Sequence, residues 1–245
     1  MPFTFIHPAA ILPLRRLSKR WISLTGLAAG SMAPDFEKFA LLKLSNEVSH
    51  TWWSISYFTL PVGLMLTFLF HLIVRDSLIH NLPVILRTRL THFCLFNWPS
   101  HFRSHYIAAI LSILLGGVTH ILWDELTHNQ SRAGLPIWRL PSIYHVGEMS
   151  FGVWLIINIS TSLLGCWYIW RVIMQTPPTV ALALPISSSP IVYWFTVLGL
   201  ALLLTGIRCL LGSNLGLWDI AITCISTLLI GLTLTSLLSK TGVVQ

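Results

Sequence analysis

This 245-residue sequence predicts an all-α integral membrane protein, with about five transmembrane helices and a short buried or re-entrant helix ahead of them. Three observations carry that prediction. Hydrophobic residues make up 54% of the chain and charged residues only 9%, against roughly 25% charged in an ordinary soluble domain. Mean hydropathy is +0.75. The apolar residues also gather into runs near the ~20 residues that cross a bilayer, and many of the 11 tryptophans stand at the ends of those runs, at the depth Trp prefers.

The first apolar stretch, 21–33, is short and rich in Gly and Ala. Small residues permit close packing, so it reads as a helix held inside the bundle or re-entering the membrane. The five spans follow at 57–74, 106–123, 151–172, 191–211 and 215–238. Between the first two lies a polar, basic and aromatic segment, 75–105, carrying Arg75, Arg87, Arg89 and Arg103. It suits an amphipathic helix on the membrane surface. Pro177, Pro178, Pro185 and Pro190 mark 176–190 as a loop and a boundary. It separates a helical membrane domain, 1–175, from a C-terminal transmembrane hairpin, 191–245. Arg208 and Asp219 are nearly the last ionisable groups in that hairpin, which reads as architecture.

The net charge of +7 does not make a nucleic-acid footprint. The 15 Lys and Arg residues are spread over many loops and read as interfacial anchors, so membrane lipids are the expected partners. Cys94, Cys166, Cys209 and Cys224 show no paired spacing and predict no disulfide framework.

The chemistry concentrates in Thr119-His120-Ile121-Leu122-Trp123-Asp124-Glu125-Leu126-Thr127-His128. Ligands four residues apart share one stripe of a helix, so His120, Asp124 and His128 can face one divalent ion such as zinc. At the end of a span such groups are costly unless they bind something. The alternative is a hydrogen-bonded pair that stabilises the bundle.

Other candidates are weaker by themselves. Asp35 follows Pro34 at a forced break in the backbone, where a carboxylate serves equally as cap or ligand. His50 lies at the mouth of the first span. His7 precedes Pro8, which favours an extended conformation for the residue before it. His145 and Glu148 are three apart, one helical face if that segment turns, and could hold a second metal or act as a base. Glu37 reads as solvated or paired with Lys38, with a ligand role the lesser alternative. His80, His92, His101 and His105 read as interfacial.

Topology decides which of these can meet. With five spans, residues 1–56 and the 124–150 loop share one membrane face, so His7, Asp35, Glu37, His50, His120, Asp124, His128, His145 and Glu148 converge. His71 is excluded. It lies about 20 residues beyond His50, some ~30 Å along a helix, and is expected beside Arg75 and Asp76. Six basic residues precede the first span, which favours a cytoplasmic face for this pole.

Residues 1–10, Gly30-Ser31-Met32-Ala33-Pro34-Asp35-Phe36-Glu37, Ser49-His50 and the 119–128 run resemble a bacterial membrane family of unknown function, number 4184. The resemblance covers about the first 150 residues; the C-terminal third resembles no family we can name. The motif order is more distantly similar to inner-membrane metal-dependent hydrolases and to the zinc-dependent phospholipase C type. Residue by residue, the resemblance implies His7, Asp35, His50, His120, Asp124, His128 and His145 as ligands. The phospholipase type ends in an HxxxE pair, whereas Glu148 follows His145 at three residues. That difference favours one or two ions over three.

The expected activity is therefore a metal-dependent hydrolysis of a phosphoester or lipid-like substrate at headgroup depth, in a bacterial inner membrane. Zinc or a related ion would supply the nucleophile, with Glu37, Glu125 or Glu148 as base. The alternatives are non-enzymatic: ion or metal transport, an assembly factor, or a cluster that only staples the fold.

Overall fold

The computed structural model describes residues 4–16, 21–127, 143–146, 149–179, 189–212 and 215–241. The protein is a helical membrane protein. Its elements are α1 (Pro8–Ile11), α2 (Leu24–Met32), α3 (Phe36–Leu41), α4 (Ile55–His80), α5 (Val84–Leu90), α6 (Trp98–Thr127), β1 (Ile143–Val146), β2 (Met149–Gly152), α7 (Val153–Gln175), α8 (Pro190–Leu211) and α9 (Leu217–Lys240). Among the described residues, five helices are long and apolar enough to cross a membrane: α4, α6, α7, α8 and α9. The span boundaries read from hydropathy fall within a few residues of these helices, except where polar ends extend them.

Those extensions have physical causes. α6 begins at Trp98, eight residues before the apolar run, but its backbone breaks at His105 (φ −136°, ψ 33°). The kink separates an aromatic, basic first section from the span proper. α4 opens with a π-helical turn, Ile55–Thr59, which ends two residues before Pro61. Proline has no N–H to give to the preceding turn, and the wider turn accommodates that loss. A second π turn, Phe70–Val74, carries His71.

The chain packs as two units. The first comprises Met1–Phe36, Asn46–Thr67 and Phe102–Val172; the second comprises Glu37–Ser45, Phe68–His101 and Ile173–Gln245. In the first, α2 lies against α6 with almost no side-chain spacer. A Cβ on Gly30 would run into the Ile113 carbonyl, and one on Gly116 into the Leu27 carbonyl. Ser23 caps α2, its hydroxyl accepting from the Gly26 N–H (3.2 Å). The Ser23 N–H in turn donates to the Ser112 hydroxyl on α6 (2.8 Å). At nine residues α2 is too short to cross a bilayer, and its face of Gly26, Leu27, Ala29, Gly30 and Ser31 is buried. This is the buried helix that the Gly/Ala composition predicted.

In the second unit α8 and α9 pair through polar contacts among the apolar ones. Tyr193 and Ser236 hydroxyls lie 2.9 Å apart, and those of Thr205 and Thr227 2.8 Å. α5 is the helix expected between the first two spans, with Arg89 donating to the Thr176 carbonyl (2.8 Å).

Two local expectations are corrected. The segment holding His145 forms an antiparallel hairpin, β1 with β2, in which His145 pairs with Ser150. The segment is extended rather than helical, its ladder running from Ile143 opposite Gly152 to Val146 opposite Met149. Phe151 consequently belongs to β2, and the third span starts after it. His7 is helical (φ −50°, ψ −37°) where Pro8 predicted an extended residue. The turn Thr4–Ile6 leads straight into α1, and Pro8 sits at its first position, where a missing N–H costs nothing.

Candidate metal centre

The first unit gathers His7, Asp35, His50, His120 and Asp124 from four separate stretches of chain. His7 comes from the turn before α1, and Asp35 from the 3-10 turn Ala33–Asp35 that ends α2. His50 precedes α4. His120 and Asp124 are one turn apart near the end of α6. His120 and Asp35 are fully buried, and only Asp124 keeps partial contact with the outside, at 13% of its side chain.

The distances fit ligands around an ion better than direct bonds. His50 Nε2 lies 3.4 Å from His120 Nε2, 3.4 Å from Asp124 Oδ2 and 3.5 Å from Asp35 Oδ1. His120 Nε2 lies 3.5 Å from Asp124 Oδ2 and 3.7 Å from Asp35 Oδ1. His7 Nε2 is 3.9 Å from Asp124 Oδ1. Ordinary N–H···O bonds run ~2.7–3.2 Å. Two donors each ~2.1 Å from a shared zinc, at a tetrahedral angle, stand ~3.4 Å apart. His7–Asp35–His120 and His50–His120–Asp124 each hold three potential ligand atoms within 4.8 Å of one another.

The surroundings orient these groups. His120 Nδ1 lies 2.7 Å from the Ser31 carbonyl, so Nδ1 carries the proton and Nε2 presents its lone pair to the cluster. His50 Nδ1 is 2.7 Å from the Ser49 hydroxyl, which leaves its Nε2 facing inward in the same way. The Thr4 hydroxyl donates to Asp35 Oδ2. His7 stacks on His120, ring centroids 4.0 Å apart. Burial opposes a charge on His50, but Asp124 and Asp35 facing its ring outweigh that, and its pKa is raised above the ordinary 6.5.

Thr4, Ser31 and Ser49 fall inside the motifs quoted for the resemblance, but no role was read for them from the sequence. Ser31 acts through its main chain, which no side-chain pattern reports. Thr4 and Ser49 lie within three residues of a ligand candidate, but that spacing is too common to mark them.

The remaining candidates are placed as follows. Glu125 is buried beside Asp124 in sequence, on a different face of α6. Glu37 belongs to the second unit, where the Ser45 hydroxyl donates to it (3.2 Å). His128 and Glu148 lie outside the described residues, and of His145 only the backbone is described. His71 lies in the second unit, beside Arg75 as expected. Its Nδ1 is 3.0 Å from the Arg75 guanidinium, and its ring stacks on Trp98 (5.2 Å between centroids, 9° between planes). Arg75 is also the partner of Asp76 (2.6 Å).

The family described as "Domain of unknown function (DUF4184)" matches residues 1–237, so the resemblance seen in the first 150 residues continues through the C-terminal hairpin. No curated protein and no solved structure matches the chain.

Proposed function

The chain belongs to the DUF4184 family, and from that premise we propose that it is a membrane-embedded, metal-dependent hydrolase of phosphoester or lipid-like substrates. The observation that carries this reading is the set of 3.4–3.7 Å separations among His50, His120, Asp35 and Asp124. His120 and Asp124 form the fixed edge of the site, His50 and Asp35 join it, and His7 stacks against it. Two carboxylates with neutral imidazoles balance one divalent cation, and His120 has a single free nitrogen to offer. Both favour one resident ion, with zinc the natural match for His/Asp ligands.

A zinc ion held there supplies Lewis acidity and water ionised near neutral pH. The chain supplies the rest. The Ser31 carbonyl holds His120 in the ligating tautomer, the Ser49 hydroxyl orients the His50 ring, and Thr4 orients Asp35. Asp124, the one partly exposed ligand, marks the side from which substrate approaches. Arg132 and Arg139 follow in the same loop of the sequence and would favour an anionic headgroup.

Elemental analysis of the purified protein, followed by phosphoester and lipid hydrolysis with and without chelator, tests the reading. The expected result is about one divalent metal per chain, the charge-neutral loading, with hydrolysis that chelation abolishes. Metal-free wild type, or His120→Ala and Asp124→Ala proteins that keep full metal, would overturn it.

A second reading keeps the ion without the chemistry. The complete burial of His120 and Asp35 resembles a closed structural site, in which the metal staples the fold. It predicts metal retention with no chelator-sensitive hydrolysis. Transport is less favoured, because α7, α8 and α9 carry charged side chains only toward their ends (Arg171, Arg208, Asp219, Lys240).

A further inference from the structure

A cleft of about 220 Å³ opens in the first unit directly beside the metal centre. His7 belongs to both: its ring lines the cleft and its Nε2 faces Asp124. The other walls are Ile6 and α1 on one side, Trp123 at the end of α6, and a strip of α7 from Thr161 to Tyr168. α1 meets α7 at Gly165, where a Cβ would run into the Ile6 side chain. The wall chemistry is almost wholly apolar. The Thr161 hydroxyl donates back to the Ile157 carbonyl (2.7 Å), so it is not a free polar group of the cleft.

Drug-sized ligands fill pockets of roughly 300–1,000 Å³, so this cleft has room for a narrow occupant and not for a bulky head. Leu164 lines it while remaining 64% exposed on the outer face of α7. That face, with Ile159, Leu163 and Trp167 also exposed, is part of a helix apolar enough to cross a membrane. The cleft therefore opens toward lipid at one end and toward a metal-ligand candidate at the other.

We propose that the cleft seats one hydrocarbon chain of a membrane lipid, entering sideways from the bilayer, with the lipid head presented to the metal centre at His7. This rests on the hydrolase reading and narrows its substrate to lipids. Lipid tails are as apolar as the cleft walls, so hydrophobicity gives no net drive from the bilayer. The cleft selects by shape, and the head at the metal centre holds the lipid in place.

The full chain in phosphatidylethanolamine/phosphatidylglycerol vesicles, with trace phosphatidic acid carrying a diazirine on one acyl chain, tests this. After illumination, adducts are mapped by peptide mass spectrometry. Severalfold enrichment is expected at α1 and at Leu164–Tyr168 over Phe195 and Leu202, which are more exposed. Ala10→Trp and Thr161→Phe, which fill the cleft, should remove the enrichment while metal content stays at the wild-type level. Competition by oleic acid indicates a straight acyl chain, and competition by farnesol an isoprenyl one. Labelling of the cleft no stronger than at Phe195 and Leu202, or enrichment that survives both filling substitutions, overturns the proposal. Metal content read on the same samples separates the two ideas. Bound metal without cleft labelling sinks the lipid assignment alone, and cleft labelling without metal sinks the hydrolase reading alone.

Discussion

Single side chains around His120 act through one another. Asp35 receives the Thr4 hydroxyl on one oxygen and faces His50 and His120 with the other. Outer partners of metal ligands set affinity through orientation, and losing one costs about 10–100-fold. Thr4→Val is therefore expected to weaken metal binding by about that factor with the fold intact, read by competition against a chromogenic chelator. An unchanged affinity would show that the hydroxyl plays no part. His50 gives a pH prediction. Its pKa lies above 6.5, so a proton competes for Nε2 at higher pH than for an ordinary imidazole. Affinity should begin to fall, by up to about tenfold per pH unit, while the pH is still above 6.5. A plateau extending below 6.5 would contradict the shift. In the metal-free protein the sign is opposite: the raised pKa stabilises the fold below pH 6.5, and this contribution is lost as pH rises through the folded-state value. At this scale the sequence was partly legible. His120 and Asp124 stood out because ligand spacing on a helix is local. Asp35, His50 and His7 gained weight from the count of spans separating them from His120 and from the family resemblance.

At the scale of elements, the contact between α2 and α6 decides whether the centre exists. Gly30 and Gly116 let the two backbones touch, and that approach puts the Ser31 carbonyl at His120 Nδ1. Gly30→Leu should force the helices apart. Overpacking costs typically ~1–3 kcal/mol, and here it also breaks the hydrogen bond that sets the His120 tautomer. The expected outcome is a lowered melting temperature together with loss of bound metal. Ala28→Leu, on the half-buried side of the same helix, is the control and should keep both. Equal effects from the two substitutions would remove the glycine contact from the account. The Gly/Ala composition showed that α2 is a close-packing helix, but not its partner, because any helix with small residues would serve. The β1–β2 hairpin was missed because Ile143-Tyr144-His145-Val146 does not alternate strictly and Phe151-Gly152 ran on into the apolar stretch of the third span.

For the whole molecule, the spans were readable because lipid imposes length and apolarity on every crossing helix, whatever it packs against. Hydropathy carries no such record of the division into two units, which cuts through α4, α6 and α7, or of the cleft at Gly165. The centre ties together four stretches of the first unit, so metal should act on global stability. A ligand present at about 1,000 times its Kd stabilises the folded state by roughly 4 kcal/mol. Chelation should therefore lower the melting temperature of wild-type protein by several degrees and leave His120→Ala unaffected. A wild-type protein indifferent to chelator would show that nothing is bound. The spacing of the ligands along the chain also fixes a timetable. His7, Asp35 and His50 leave the ribosome long before His120 and Asp124, and two membrane crossings must be threaded in between. An ion held by all five groups, as the proposed function requires, would complete its ligand set only after the second span is inserted, so a metal donor would then meet a protein already resident in the bilayer.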